Sequence, residues 1–593
     1  MKQGKSFTNR EVAQLLKRVA AAYQIRGADF FRIRAYQNAA ASIDTLNSSL
    51  YSLWQQDRLD DVPGVGANLL HHLDQLFRTG QVKHFQTEFK KVPQGMFALL
   101  SIRGIGPKMA YKIAKEFDLN DEKTALKKLK KLIKDNKLQD LPGFGPKLEE
   151  KINTSIKSKF TSKQKLLLPV ALDIAQEYVD YLLSSPAITK AEPLGSLRRH
   201  ADTVGDIDLA FTGPNQARAM AAALKFPRIQ QKISAGQSVA RVQLDNGHEI
   251  DLKFCPQDEW GSLLQHYTGS KLHNINLRTL AKNKDLSLSE HGIKDKKGKV
   301  TKFTTEKGFY RHLGLPWIPP EIRLGLDEID LAKKDQLPHL IGVGDIKGDL
   351  HIHTNCPNFP TSHDMSQSSL SDILDQTRAL GYSYIGLTDH NPKMSGLSLS
   401  GRRRALEKRK AYLLKEHRCY EKKVKTGVPK ILIGLEIDIR PDGSLALEDE
   451  LIDTLDYAIA SIHSNHDLSP ADNTQRLLKA LSHPKVLIWG HPTGRMLNRR
   501  PGIEVDWPKL FKFCAKNNKY IEINSYPARL DLPVDLIKIA LEEGAQFVIN
   551  SDSHHADQFA NINYGVWHAR AAGLEKKHVL NTQSYSSLRH MLN

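Results

Sequence analysis

The chain has 593 residues, 40% of them hydrophobic, and carries 85 Lys and Arg against 66 Asp and Glu, a net charge of +19. That length exceeds what one core organises, so several domains are expected, and the basic balance favours a polyanionic partner, nucleic acid first, over an acidic or neutral one. The 4 cysteines form no C-x-x-C pair and the most apolar run, LLLPVALDIA at 166–175, is too short for a bilayer, which argues against a disulfide framework, a thiolate zinc site and a secreted or membrane-embedded protein.

In chain order the first elements are three copies of one pattern, VPGVGANLL from residue 62, IRGIGPKMA from 102 and LPGFGPKLE from 141. Each sets an apolar residue between two glycines ahead of a helical stretch, so the chain turns tightly and presents backbone N–H groups at a helix N-terminus, where a phosphate fits. The spacing is regular, 40 residues from Gly64 to Gly104 and 39 from Gly104 to Gly143. These copies resemble helix-hairpin-helix motifs, which hold the DNA sugar-phosphate backbone without reading sequence. The resemblance makes Gly64, Gly66, Gly104, Gly106, Gly143 and Gly145 the expected DNA-binding positions. Between the second and third copies, EKTALKKLKKLIKDNK predicts an amphipathic helix whose Lys-rich face either meets DNA or is solvated.

Residues 204–211 read VGDIDLAF, and strand alternation puts Asp206 and Asp208 on one face. Two anions so placed repel unless a cation sits between them. Downstream, RVQLDNGHEIDLKF predicts two strands joined at the DNG turn, with Asp251 between Ile250 and Leu252, where an unpaired charge is costly. Three converging carboxylates offer oxygen ligands for two Mg²⁺ ions, which activate a hydroxyl and stabilise a leaving pyrophosphate. Upstream, in LGSLRRHADTVGDIDL, Gly195 and Ser196 can cradle phosphate oxygens and Arg199 can neutralise their charge.

Together with WGSLLQHYTGSKLHNINLR and LGLPWIPPEIR, these motifs resemble those of family X DNA polymerases. The resemblance implies a nucleotidyltransferase palm with a thumb, in which Asp206 and Asp208 bind both metals, Mg²⁺ or Mn²⁺, and Asp251 sits on the metal that activates the primer 3′-hydroxyl. It also implies a nucleotide-binding set of Gly195, Ser196, Arg199, Gly205, Gly269, Asn274 and Arg278, the last two probing the nascent pair from its minor-groove side. The family's aromatic pair before T-G-S is here His266 and Tyr267, which leaves the choice between deoxyribose and ribose open. FFRIRAYQNAAASI and the first hairpin resemble the family's 8-kDa domain, but the position of its Schiff-base lysine aligns with His72. Imidazole forms no imine, so no deoxyribose-phosphate lyase activity is expected from this site.

From about residue 346, apolar strands end in ligand-type side chains: GDLHIHT, YIGLTDHNP, ILIGLEIDI, YAIASIHS, VLIWGHPTGR, YIEINS and FVINSDSHH. Strands with helices between them predict a β/α barrel whose chemistry sits at the strands' C-terminal ends. Imidazole and carboxylate without thiolate suit Zn²⁺, Mn²⁺ or Fe²⁺, and the ligands outnumber what one ion needs. The segment resembles the PHP (polymerase and histidinol phosphatase) domain, an irregular barrel holding up to three metals. That resemblance implies His351, His353, His390, Glu436, His463, His491, Asp552 and His554 as ligands, with His363 and Asp364 of NCPNFPTSHD as alternatives for the ninth. Asp389 is expected to orient a ligand and Glu522 to support the fold, while Arg495 and Arg500 are expected to face a phosphate.

The fold expected is multidomain α+β and α/β: an 8-kDa-like helical domain over 1–90, a fingers-like helical domain over 91–160, a palm over 161–260, a thumb over 261–325, a linker over 326–345 and a PHP barrel over 346–593. The function expected is a cytoplasmic, nucleoid-associated and monomeric repair polymerase. It fills gapped or nicked double-stranded DNA from dNTPs, and its PHP domain, loaded with Zn²⁺, Mn²⁺ or both, trims 3′ ends as a 3′ to 5′ exonuclease. The alternatives are template-independent nucleotide addition, a DNA-end scaffold with dead sites, and a phosphatase of small phosphate esters.

Overall fold

The computed structural model describes residues 7, 9–44, 50–55, 57–62, 64–100, 102, 105–135, 137–141, 145, 149, 152 and 165–592. Gly104 and Gly143 fall outside the described residues. The chain divides into two compact units, 1–166 with 170–192 and 205–255, and 167–169 with 193–204 and 256–593.

The first unit begins helically. Helix α1 (Ala67–Thr79) starts at Gly66 and buries Leu69, Leu73, Leu76 and Phe77, while Gly80 closes it in the left-handed conformation. Helix α2 (Pro107–Glu116) starts at Gly106 with Pro107 in its first turn, where a missing N–H costs nothing. Helix α3 (Glu122–Lys134) is the amphipathic helix the sequence predicts: the Asp121 carboxylate caps it, Ala125, Leu129 and Ile133 are buried, and its lysines are exposed. A five-stranded sheet follows, built from β1 (Lys190–Pro193), β2 (Ile207–Thr212), β3 (Ile229–Ala235), β4 (Val239–Leu244) and β5 (Glu249–Phe254) in the order β1-β2-β5-β4-β3. Strands β4 and β5 are the predicted hairpin, antiparallel, while β2 and β5 run parallel with Asp208 level with Asp251.

In the second unit a short helix α4 (Gly195–Arg198) precedes the thumb helices α5 (Trp260–Thr268), α6 (Lys271–Lys282) and α7 (Glu306–His312). Their core is Leu277, Phe309, Tyr310 and Ile318. Beside it the buried carboxylate of Glu306 receives hydrogen bonds from Arg198 at 2.8 Å and Arg323 at 2.7 Å.

The remainder is the barrel, made of β6 (Gly348–Ile352), β7 (Tyr384–Leu387), β8 (Lys430–Ile433), β9 (Leu435–Asp438), β10 (Ala458–Ser461), β11 (Val486–Trp489), β12 (Tyr520–Asn524) and β13 (Gln546–Asn550). Every pairing is parallel and in chain order, within one sheet β6-β7-β8 and another β9 to β13. A bridge between Ile352 and Ser553 closes the ring. ILIGLEIDI, expected as one strand, is two strands broken at Gly434, where a side chain would press on the Tyr457 carbonyl 2.9 Å away. Helix α8 (Ile562–Ala571), which follows β13, packs against β13 and β12. Among the described residues no helix is long and apolar enough to cross a membrane.

Candidate active sites

The first candidate site lies on the palm sheet. Asp208 on β2 and Asp251 on β5 stand side by side, and Asp206 occupies the bend just before β2. The crowding is relieved by cations from the same sheet: Lys253 donates to Asp208 at 2.5 Å, and Arg241 holds Asp251 through two bonds of 2.5 and 2.7 Å. The hydrogen bonds that Arg241 donates to Asp251 push its guanidinium pKa up, with Asp206 adding to the effect. Sequence reasoning left the pair to metal ions alone and missed these two residues. The signal was present, because Lys253 lies two residues past Asp251 on the same strand face. A surface where three carboxylates draw in two side-chain cations is equally one that draws in metal ions, so the residues fit that role.

Of the residues expected to bind nucleotide, Gly205 belongs to the first unit and the others to the second. Arg199 is half-buried, which lowers its pKa, and it donates to the Thr268 carbonyl at the end of α5. Gly269 stands against it, since a side chain there would come within 3.2 Å of the Arg199 guanidinium. Asn274 and the exposed Arg278 lie one turn apart on α6, and the Asn274 amide donates to the His266 carbonyl at 2.7 Å.

The second candidate site lies at the C-terminal ends of the barrel strands. Glu436 Oε2 is surrounded by His390 Nδ1 at 3.0 Å, His351 Nε2 at 3.3 Å and His353 Nε2 at 3.5 Å, and Asp552 lies 3.3 Å from His353. Four groups of ligand atoms lie within 4.8 Å of one another: His351, His353, Glu436 and Asp552; His390, Glu436 and His463; His353, His390 and His554; His363, Asp438 and His463. His491 joins the same pocket with Nε2 2.9 Å from Glu436. Of the two residues considered for the ninth ligand, His363 is brought into the cluster, and Asp364 belongs to none of these groups.

The donor set itself tests whether metal ions fit. His351 Nε2, both ring nitrogens of His353, His390 Nδ1 and Glu436 Oε2 are buried without a hydrogen-bond partner, an arrangement too costly to persist unless something binds there. Burial works against the charge of Glu436, yet His463, His351 and His390 outweigh it and hold the carboxyl well below the usual range. Asp552 is likewise held down, against its burial, by His351 and His353. Two of these residues, His491 with φ 26° and Asp552 with φ 53°, sit in left-handed backbone, the strain that gathers at functional sites. The pocket therefore offers anionic oxygens and free imidazole nitrogens together, which suits divalent cations.

Comparison with known proteins identifies the family and several of the domains. Residues 263–324 match the DNA polymerase beta thumb, 7–82 a helix-hairpin-helix domain, 97–157 a SAM-like helix-hairpin-helix tandem and 349–526 the PHP domain. The DNA polymerase/3′-5′ exonuclease PolX of Bacillus subtilis is 32% identical over 588 residues, 98% of this chain and 99% of that protein. The chain belongs to the family X DNA polymerases that carry a PHP domain. More distant likenesses cover part of the chain: DNA polymerase lambda of Arabidopsis thaliana is 23% identical over 53% of this chain and 62% of its own. A probable phosphatase of Syntrophotalea carbinolica is 24% identical over 39% of this chain and 90% of its own.

Around the PHP cluster, three expectations need correcting. Glu522, read as support for the fold, accepts from His351 Nδ1 at 2.7 Å and from the His491 backbone N–H at 2.7 Å, so it orients the His351 ring and anchors the His491 backbone. Asp389, read as the orienting acid, instead binds Arg409 at 2.6 Å and Thr354 at 2.9 Å. Arg495 does not face a phosphate: it pairs with Asp202 at 3.3 Å and donates to the carbonyls of Arg529 and Leu530. Arg500 is partly committed as well, donating to the Gly494 carbonyl at 2.7 Å. Asp438 was missed altogether. It receives His463 Nδ1 at 2.6 Å and His363 Nε2 at 2.9 Å, and its position two residues past Glu436 on β9 was the available clue.

Proposed function

We propose that the chain fills short gaps in DNA from its palm and thumb and trims 3′ ends with a 3′ to 5′ exonuclease in its PHP domain. The observation that carries this is the PHP pocket's set of buried, unpartnered nitrogen and oxygen atoms, joined in one chain to the paired carboxylates Asp208 and Asp251. Bound divalent ions supply neutralisation of phosphate charge and a deprotonated oxygen nucleophile near neutral pH. In the palm, Asp206, Asp208 and Asp251 would hold Mg²⁺ or Mn²⁺, in exchange for the Arg241 and Lys253 cations that now pair with Asp251 and Asp208. Ser196 and Arg199 bind the triphosphate, and Asn274 with Arg278 checks the nascent pair, which favours templated over template-independent addition. In the PHP domain His351, His353, His363, His390, Glu436, His463, His491, Asp552 and His554 hold up to three Zn²⁺ or Mn²⁺ ions.

The substrate is gapped or nicked duplex held by the hairpins around Gly64, Gly66, Gly104, Gly106, Gly143 and Gly145, and the protein works as a cytoplasmic, nucleoid-associated monomer. No lyase step is assigned to the N-terminal domain. His72 bonds to the Tyr36 hydroxyl at 2.9 Å and stacks on His84, and burial, then His84, lowers its pKa to about 4. Borohydride trapping on an incised abasic substrate is expected to give no adduct. Labelled gap filling tests the division of labour: Asp206→Ala with Asp208→Ala abolishes synthesis and leaves 3′-end degradation intact, whereas His353→Ala does the reverse. Loss of both activities from either folded variant overturns the reading.

A further inference from the structure

The segment that carries Ser196 and Arg199 does not end freely. Helix α4 closes in a turn in which the Ala201 N–H donates to the Ser196 carbonyl at 3.0 Å and the His200 N–H to the Leu197 carbonyl at 3.0 Å. His200 adopts φ 52° there, a left-handed conformation that a non-glycine residue holds only where its surroundings fix it. What fixes it is the PHP domain. The His200 ring lies flat on Trp567 of α8, with centroids 4.0 Å apart and planes 9° from parallel. Two residues on, Asp202 pairs with Arg495 at 3.3 Å. Beside the stack, Arg570 of α8 donates to Glu321 at 2.9 Å. Burial keeps the His200 imidazole largely neutral, lowering its pKa to about 4 against the opposing pull of Glu321, and Arg570 and Arg198 add to the lowering. The contact is therefore a packed aromatic pair.

We propose that Trp567 and Arg495 of the PHP domain are positioning residues for polymerisation, holding the turn His200–Asp202 and through it the phosphate-binding groups of Ser196 and Arg199. The inference rests on the reading of those two residues as triphosphate ligands. The nuclease domain is then a structural part of the nucleotide site. A stack at one side of the turn and an ion pair at the other leave it one orientation, and a phosphate cradle depends on sub-ångström placement.

Steady-state gap filling by the full chain tests this. His200→Ala and Trp567→Ala are expected to raise KM for dNTP by about 5- to 10-fold with kcat changed by less than about 2-fold, and to leave exonuclease rates unchanged. His200→Phe, which keeps a ring on Trp567, restores KM, whereas a purely structural role for the turn predicts no such rescue. Unchanged KM in His200→Ala, or a His200→Phe variant as impaired as His200→Ala, overturns the proposal even if Trp567→Ala fails to fold. Arg199→Ala is the reference: if it leaves KM unchanged, the triphosphate reading itself fails and the inference falls with it.

Discussion

Glu522 decides which nitrogen of His351 is free. Its carboxylate accepts the proton on Nδ1, so Nε2 is left as a lone-pair donor pointing at Glu436 and Asp552. Replacing Glu522 with Gln keeps the volume but removes the charge that fixes this tautomer. The expected result is about a 10- to 100-fold loss of metal affinity at the PHP centre, read as a rightward shift of the Mn²⁺ concentration for half-maximal exonuclease, with gap filling unaffected. Asp438→Asn is expected to act on the same titration, because His463 and His363 both lean on that carboxylate, which holds the His463 pKa near 9 together with Glu436 against the effect of burial. The candidate ligands were legible in the sequence because His, Asp or Glu recurs at the ends of several apolar strands and the motifs resemble the PHP domain. Glu522, Asp389 and Arg495 were not, since an acid or a guanidinium finds its partner across strands whose register no single sequence gives.

At the scale of elements, the glycines of the hairpins divide by what the fold demands of them. Gly64 has φ +83° and its missing side chain makes room for the Ala39 backbone 3.3 Å away, so the protein itself requires it. Gly66 and Gly106 have ordinary φ values of −87° and −83°, and a side chain at either would meet nothing within 4 Å. Space kept open at the start of a helix, with no internal reason, is space for a partner's backbone. Gly66→Ala and Gly106→Ala are therefore expected to leave the melting temperature unchanged or slightly raised while weakening binding to gapped duplex, measured by fluorescence anisotropy. The thumb carries a pH signature. Burial raises the Glu306 pKa, but Arg323 and Arg198 outweigh it and lower it from 4.5 to about 2. A depressed carboxyl contributes stability above its unfolded pKa and loses it as pH falls through the folded one. The stability gap between the parent chain and Glu306→Gln, followed by urea unfolding, is thus expected to hold near about 3 kcal/mol at pH 6 and to narrow steadily below about pH 4.5. The strands, helices and hairpin turn of these elements were readable from periodicity and turn residues. The break at Gly434 was not, because the space that excludes a side chain there is set by Tyr457, just before β10 and distant in sequence.

For the whole molecule, the net charge of +19 has to be read against two centres that each bury or gather carboxylates. Those carboxylates are matched locally by Arg241, Lys253 and the imidazole cluster, so the basic excess is left to act at the surface. Helix α3 shows one such place, with Lys123, Lys127, Lys128, Lys130, Lys131 and Lys134 all exposed. Charge of this kind binds DNA by releasing its counterions, and affinity then falls linearly on a logarithmic salt axis with a slope of about −0.9 for each phosphate contacted. A chain gripping about six phosphates loses about 10³ in affinity between about 50 and 200 mM salt. Anisotropy titrations across that range are expected to show such a slope for the parent chain, and Lys127→Glu with Lys131→Glu to reduce its magnitude by about 2 if this face meets DNA. An unchanged slope assigns these lysines to solvent and moves the grip to the hairpin glycines and their helices, where backbone N–H groups, not side-chain cations, hold the phosphates.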